Sequence, residues 1–151
     1  MASENLELEL QKQFKASQEK YIYFLLAAAA SAIGFAMTQS KVEPLEWIHI
    51  PLGLSIVFWA LSFISGLRFI EYSISFTFQN QNYLAFKREI KSYSEIEAVK
   101  LLNEFKTQLS KTTEKQQNKM KFYSSTQSIS LLLGALSYIV WHIFRMWVVN
   151  T

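Results

Sequence analysis

Three uninterrupted apolar runs constrain what this chain can fold into more than any other feature. Setting His49 and His142 aside, residues 21–38 and 48–67 hold no charged side chain, and residues 124–149 hold only Arg145. An α-helix rises 1.5 Å per residue, and a bilayer hydrocarbon core of about 30 Å needs roughly 20 of them, so all three runs are long enough to cross, the first only just. The sequence therefore predicts an all-α integral membrane protein. Its transmembrane helices are expected at 21–38, 48–70 and 124–149, with an amphipathic helix at 1–20 before them and a cytoplasmic helical hairpin at 79–123 between the second and third.

Composition narrows the chemistry. Half of the 151 residues are hydrophobic and 18% are charged, the balance expected of apolar spans joined to polar, water-facing segments in one compact unit. There is no Cys, which removes disulfides, thiolate nucleophiles and cysteine metal sites, and all twelve acids are Glu. His49 and His142 have no carboxylate at metal-ligand spacing. Zinc motifs, Ser-His-Asp triads, EF-hands and phosphate-binding glycine loops are absent from the inventory, so the expectation is a protein that is not an enzyme and carries no cofactor. Four Gly and two Pro in the whole chain favour long helices.

Lysine placement predicts orientation. Lys12, Lys15 and Lys20 precede the first run, Lys41 alone lies between the first two, Arg68 closes the second, and nine Lys and Arg fall between Lys87 and Lys121. Positive charge favours the cytoplasmic side, which puts the N-terminus and the long polar stretch inside and the first loop and C-terminus outside. Tyr21, Tyr23, Tyr72 and Tyr123 then fall at the inner interface, and Trp47 and Trp147 at the outer one. Topogenic lysines and attraction to anionic lipid account for the net charge of +3 without nucleic acid. Ala30-Ser31-Ala32 resembles a signal cleavage site, but the preceding segment is long and carries acids as well as bases, so the first run reads as an uncleaved anchor.

Local patterns fill in the elements. Leu6, Leu10 and Phe14 recur every four residues, with Glu4 and Glu7 in the first turn, predicting an amphipathic helix that either packs on the protein's own helices or serves as an interfacial anchor or plug. Ala28/Ala32 and Ala30/Gly34 have the spacing that lets helix backbones approach. Pro44 marks a short outer turn, and Pro51 suits the first turn of the second span. Gln79 to Asn82 is either a break or the point where a long helix leaves the membrane. Ser94 and Glu97 form a capping box, and Ala98, Leu102, Phe105 and Leu109 mark a heptad-like seam that turns polar at Thr112 and Gln116.

Two polar stripes run within the spans. Ser55, Ser62, Gly66 and Ser73 share one face of the second; Gln127, Ser130, Gly134, Tyr138, Trp141 and Arg145 share one face of the third, opposite Leu132, Leu136, Ile139 and Ile143. The aliphatic set suits lipid, so the polar faces meet protein or water. One reading is interhelical packing with hydroxyls bonded to neighbouring carbonyls; the other is the lining of a conduit in an oligomer. Arg145 either snorkels to headgroups, pairs with Glu43 or Glu46, or forms a cationic ring at a pore mouth, with His142 nearby as a source of pH dependence.

A short N-terminal helix, a tight two-span hairpin over Tyr21 to Ile70 and a helical extension over Tyr83 to Tyr123 resemble the small two-transmembrane effector modules of bacterial conflict systems called SLATT domains. The resemblance is one of topology over about the first 120 residues, and the third run at Ser124 to Val149 departs from it. It implies a bacterial inner-membrane effector that makes pores or perturbs the membrane when a partner senses infection.

The expectation is a homo-oligomeric pore or membrane-perturbing protein with candidate pore or interface residues Ser55, Ser62, Gly66, Ser130, Gly134, Tyr138, Trp141, His142 and Arg145. The seam at Leu102, Phe105 and Leu109 would join its copies. The alternative is a membrane scaffold that recruits a cytosolic protein through the basic hairpin. Expected partners are thus membrane lipids, further copies of the chain and a cytosolic protein.

Overall fold

The computed structural model describes residues 2–39, 47–90 and 95–149, with the side chains of 2–5, 7, 8, 11, 95, 96, 98 and 149 left aside. Three long helices account for nearly all of them: α1 Ala2–Gln39, α2 Ile50–Glu89 and α3 Glu95–Val149, with a 3-10 turn at Trp47–His49 leading into α2. Each has a stretch long and apolar enough to cross a membrane. Pro51 sits in the first turn of α2, where its missing N–H leaves no helical bond unmade.

The helices are longer than the segments read from the sequence. The amphipathic stretch and the first apolar run form one helix, Gln79 to Asn82 remain helical, and α3 passes from the polar stretch into the third apolar run without interruption. No Gly or Pro occurs between Gly66 and Gly134. Asn and Gln cost a helix only about 0.7 kcal/mol or less per residue, so polarity alone does not end one. The outer turn at 41–46 and Ser94 of the capping box lie outside the described residues.

Helices of 40 and 55 residues are about 60 and 80 Å long, too long to share one core. Packing accordingly divides the chain into two compact units instead of the one expected, the first comprising Met1–Leu67 with Ser124–Thr151 and the second Arg68–Tyr123.

The first unit brings all three helices together. Contacts advance in step along α1 and α3, from Tyr21 with Ser128 to Phe35 with Tyr138, so these two run parallel. Ser62 with Gln127 and Trp59 with Leu131 set α2 antiparallel to α3. Buried positions on α2 follow heptad spacing through Ser55, Trp59, Ser62 and Gly66, and α1 answers with Ile22, Leu25, Ala29 and Ala36. Ala36, Leu52, Trp59 and Trp141 form the core cluster, with Ala32 packed against it. Outside, Leu54, Leu61, Ile64, Leu132, Leu136, Ile139 and Ile143 are all exposed. Leu6, Leu10 and Phe14 are exposed as well, so the expected packing of that face on the protein's own helices is not found among the described residues.

The second unit is an antiparallel pair made from the end of α2 and the start of α3. Phe105 stacks on Phe86 at 4.8 Å and on Tyr83 at 6.0 Å, Gln116 Nε2 donates to Ser75 Oγ at 3.1 Å, and Tyr72 stacks on Tyr123 at 5.6 Å. Among the described residues, Phe69 and Ile90 are its buried apolar side chains.

Candidate functional site

The polar faces of the spans meet inside the first unit. Ser55 and Ser62 are wholly buried; the Ser62 hydroxyl donates across to the Gln127 carbonyl at 2.8 Å, and that of Ser55 donates to Leu52 O one turn back on its own helix at 2.7 Å. Gln127, also at 0% exposure, donates from Nε2 to the Ile22 carbonyl of α1 at 3.4 Å. One glutamine thereby touches all three helices. Its Oε1 accepts no hydrogen bond from the described residues.

Two glycines make these approaches possible. A Cβ on Gly66 would stand 2.5 Å from Gln127 Nε2 and 2.8 Å from Leu26 Cδ2; one on Gly134 would stand 2.5 Å from the Trp59 ring. Each glycine is thus a notch that receives a large side chain from a neighbouring helix. Trp59 Nε1 donates to the Leu131 carbonyl at 3.3 Å, which fixes the indole over its notch.

Towards the far end of α3 the stripe becomes aromatic. Tyr138 lies 6.0 Å from Phe35, 5.8 Å from Trp59 and 5.4 Å from Trp141, ring centre to ring centre. Trp141 is 2% exposed, and the Arg145 guanidinium carbon lies 5.4 Å from its ring centre. Glu43 and Glu46, the acids considered for Arg145, lie outside the described residues.

Of the candidates read from sequence, Ser55, Ser62, Gly66, Ser130, Gly134, Tyr138 and Trp141 are gathered into this three-helix contact; Arg145 is half-buried at its margin and His142 is exposed. Ser55 and Ser62 have no exposed surface, and of their two hydroxyls that of Ser62 bonds across from α2 to α3. Leu102, Phe105 and Leu109 are half-buried in the second unit, where Phe105 is stacked within the chain itself. Among the described residues no three metal-ligating side chains gather.

Trp59 joins this contact without being among the candidates read from the sequence. Its signal was position: four residues after Ser55 and three before Ser62, it belongs to the same heptad face and is the large residue that the glycine opposite accommodates. No family model, curated protein or solved structure matches this chain.

Proposed function

We propose that this chain is a non-enzymatic, multi-pass protein of the bacterial inner membrane that holds a basic helical hairpin at the cytoplasmic surface as a scaffold for a cytosolic partner. The observation that carries this reading is the burial of Ser55, Ser62 and Gln127 at 0% exposure, which occupies the conduit-like faces, together with the aliphatic surface left outside. Lysine bias gives the orientation, with the N-terminus inside and the C-terminus outside. The hairpin then offers the partner exposed charge, including Lys100 and Lys106.

A second reading, a homo-oligomeric pore or membrane-perturbing effector in antiviral defence, rests on the SLATT-like topology and on one further observation. Ala27, Ala30, Ser31 and Gly34 are exposed on α1, and beyond the helix's own backbone no atom of the described residues lies within 4 Å of where a Gly34 side chain would be. Copies would associate through that small-residue face, since the serine faces are already occupied.

Vesicles reconstituted with this chain alone separate the two. The scaffold reading expects them to retain dye, and photo-crosslinkers at Lys100 and Lys106 to capture a cytosolic protein that crosslinkers at Leu61 and Leu132 do not. Leakage caused by the chain alone overturns the scaffold in favour of the pore. Orientation is read separately: a cysteine at Lys41 should react with an impermeant reagent in intact cells, and one at Lys111 only after lysis.

A further inference from the structure

Lys111, Lys115 and Lys119 recur every four residues in α3, which places them on one face over about 12 Å. All three are exposed, and Lys111 and Lys115 form no ion pair with a described residue. With Glu114 among them, three positive charges against one negative leave a local charge of +2. Together with Asn118, Phe122 and Tyr123 they line a shallow, open groove along one face of α3, all within the second unit.

The groove is graded along its length. At one end Phe122 is 64% exposed and edge-on to Tyr123 at 5.5 Å. One turn away Lys119 is held in place: its Nζ donates to the Tyr72 hydroxyl at 3.2 Å and sits 5.0 Å from the centre of that ring. An ammonium has three donors, so two remain for a ligand. Lys115 and Lys111 follow at about 6 and 12 Å further along the helix. Phe122 lies two residues before the third apolar run begins at Ser124. On the membrane reading, on which this inference rests, Phe122 and Lys119 fall at the interface and the other lysines face water.

We propose that this groove binds one anionic phospholipid of the adjoining leaflet, with Lys115 and Lys119 on its phosphate and Phe122 against its acyl chains. Free phosphate would leave Phe122 without a partner. A zwitterionic lipid would bring its own ammonium against the lysines, whereas a lipid whose headgroup carries only negative charge matches both the cations and the apolar end.

Native mass spectrometry of the full-length chain in detergent, with phosphatidylglycerol or phosphatidylcholine added, tests the site. Lys115→Gln with Lys119→Gln should weaken phosphatidylglycerol retention about 30-fold and leave phosphatidylcholine unchanged, on the scale expected of two cations beside anionic headgroups. Arg at both positions should preserve binding, Phe122→Ser should weaken it, and inorganic phosphate should not displace the lipid. Lys100→Gln with Lys106→Gln, which removes equal charge elsewhere on α3, should have little effect. An equal loss in that control, or displacement by inorganic phosphate, overturns the site. Carbonate extraction of the reconstituted chain separates the two failures: a chain washed from vesicles overturns the membrane reading and the site together, and a chain that stays embedded while the Gln pair binds normally overturns the site alone.

Discussion

The side-chain amide of Gln127 occupies the space that a side chain on Gly66 would need. The two lie on antiparallel helices, and a Cβ at position 66 would come within 2.5 Å of the Gln127 nitrogen. Because the same amide reaches the Ile22 carbonyl of α1, the small residue on α2 sets how closely all three helices approach. A glycine and a buried glutamine act here as one fitting.

Gly66→Ala should therefore destabilise the first unit by about 1–3 kcal/mol, the usual cost of overpacking a filled site. Gln127→Ala alone should also destabilise, by opening a cavity and removing the side-chain hydrogen bond that ties α3 to the Ile22 carbonyl of α1. Combined, the two should cost less than their sum, because the smaller side chain at 127 makes room for the methyl group at 66. Denaturation of the detergent-solubilised protein, followed by helical circular dichroism, measures all three; strict additivity would show that the two sites do not communicate.

Ser62 separates packing from pore lining. Its hydroxyl is buried and bonded to the Gln127 carbonyl, so Ser62→Cys should resist a water-soluble thiol reagent in the folded protein and react once SDS unfolds it. Thr107→Cys, on an exposed stretch of the second unit, should react in both states. Rapid labelling at position 62 in native vesicles would mean that water reaches this face. The lost hydrogen bond is worth only about 0.6–1.7 kcal/mol in a membrane helix contact, so the variant should fold.

Much of this arrangement is legible in the sequence because helical periodicity is a local property. The split of α3 into an aliphatic face at Leu132, Leu136, Ile139 and Ile143 and a polar face at Gln127, Ser130 and Gly134 follows from spacing alone, and the structure exposes the first and buries the second. What spacing cannot give is the partner of each face. Whether Ser62 meets water or a carbonyl depends on α2 and α3 being brought together in one register, a tertiary outcome. Of the two readings open for Gln79 to Asn82, a break or a continuing long helix, α2 follows the second and runs on to Glu89, since a helix ends where its last carbonyls find other partners and nothing in that run supplies them. The Leu6, Leu10 and Phe14 stripe shows the same limit from the other side, since amphipathicity states that a face wants cover without stating that the chain provides it.

Phe105 tests the second unit on its own. It stacks on Phe86 and Tyr83 and is half-buried, so Phe105→Ala should cost somewhat less than the roughly 3–5 kcal/mol seen when a fully buried Phe is truncated. Amides of residues 79–90 and 100–110 should exchange faster with deuterium, while those of the first unit keep their protection. If copies associate through this seam, native mass should fall as well; an unchanged mass would place the contact wholly within one chain.

Arg145 gives the last test, because its position over Trp141 sets apart the roles open to a cation in an apolar run. The guanidinium carbon lies 5.4 Å from the ring centre of a tryptophan that is itself buried, one helical turn earlier. Such a contact contributes about 0.5–2 kcal/mol depending on how dry it is. Arg145→Gln should lose that amount and Arg145→Lys only part of it, since an ammonium keeps the charge but not the planar stack. Trp141→Leu should cost more than either, because it also removes the contact with Tyr138. In the double variant Trp141→Leu/Arg145→Gln, the arginine substitution should become nearly silent, giving a coupling energy close to the single loss at 145. Full additivity would mean that Arg145 reaches headgroups without using the ring. A large change in vesicle conductance with Arg145→Glu, at unchanged stability, would instead assign it to a pore mouth and overturn the scaffold reading together with this one.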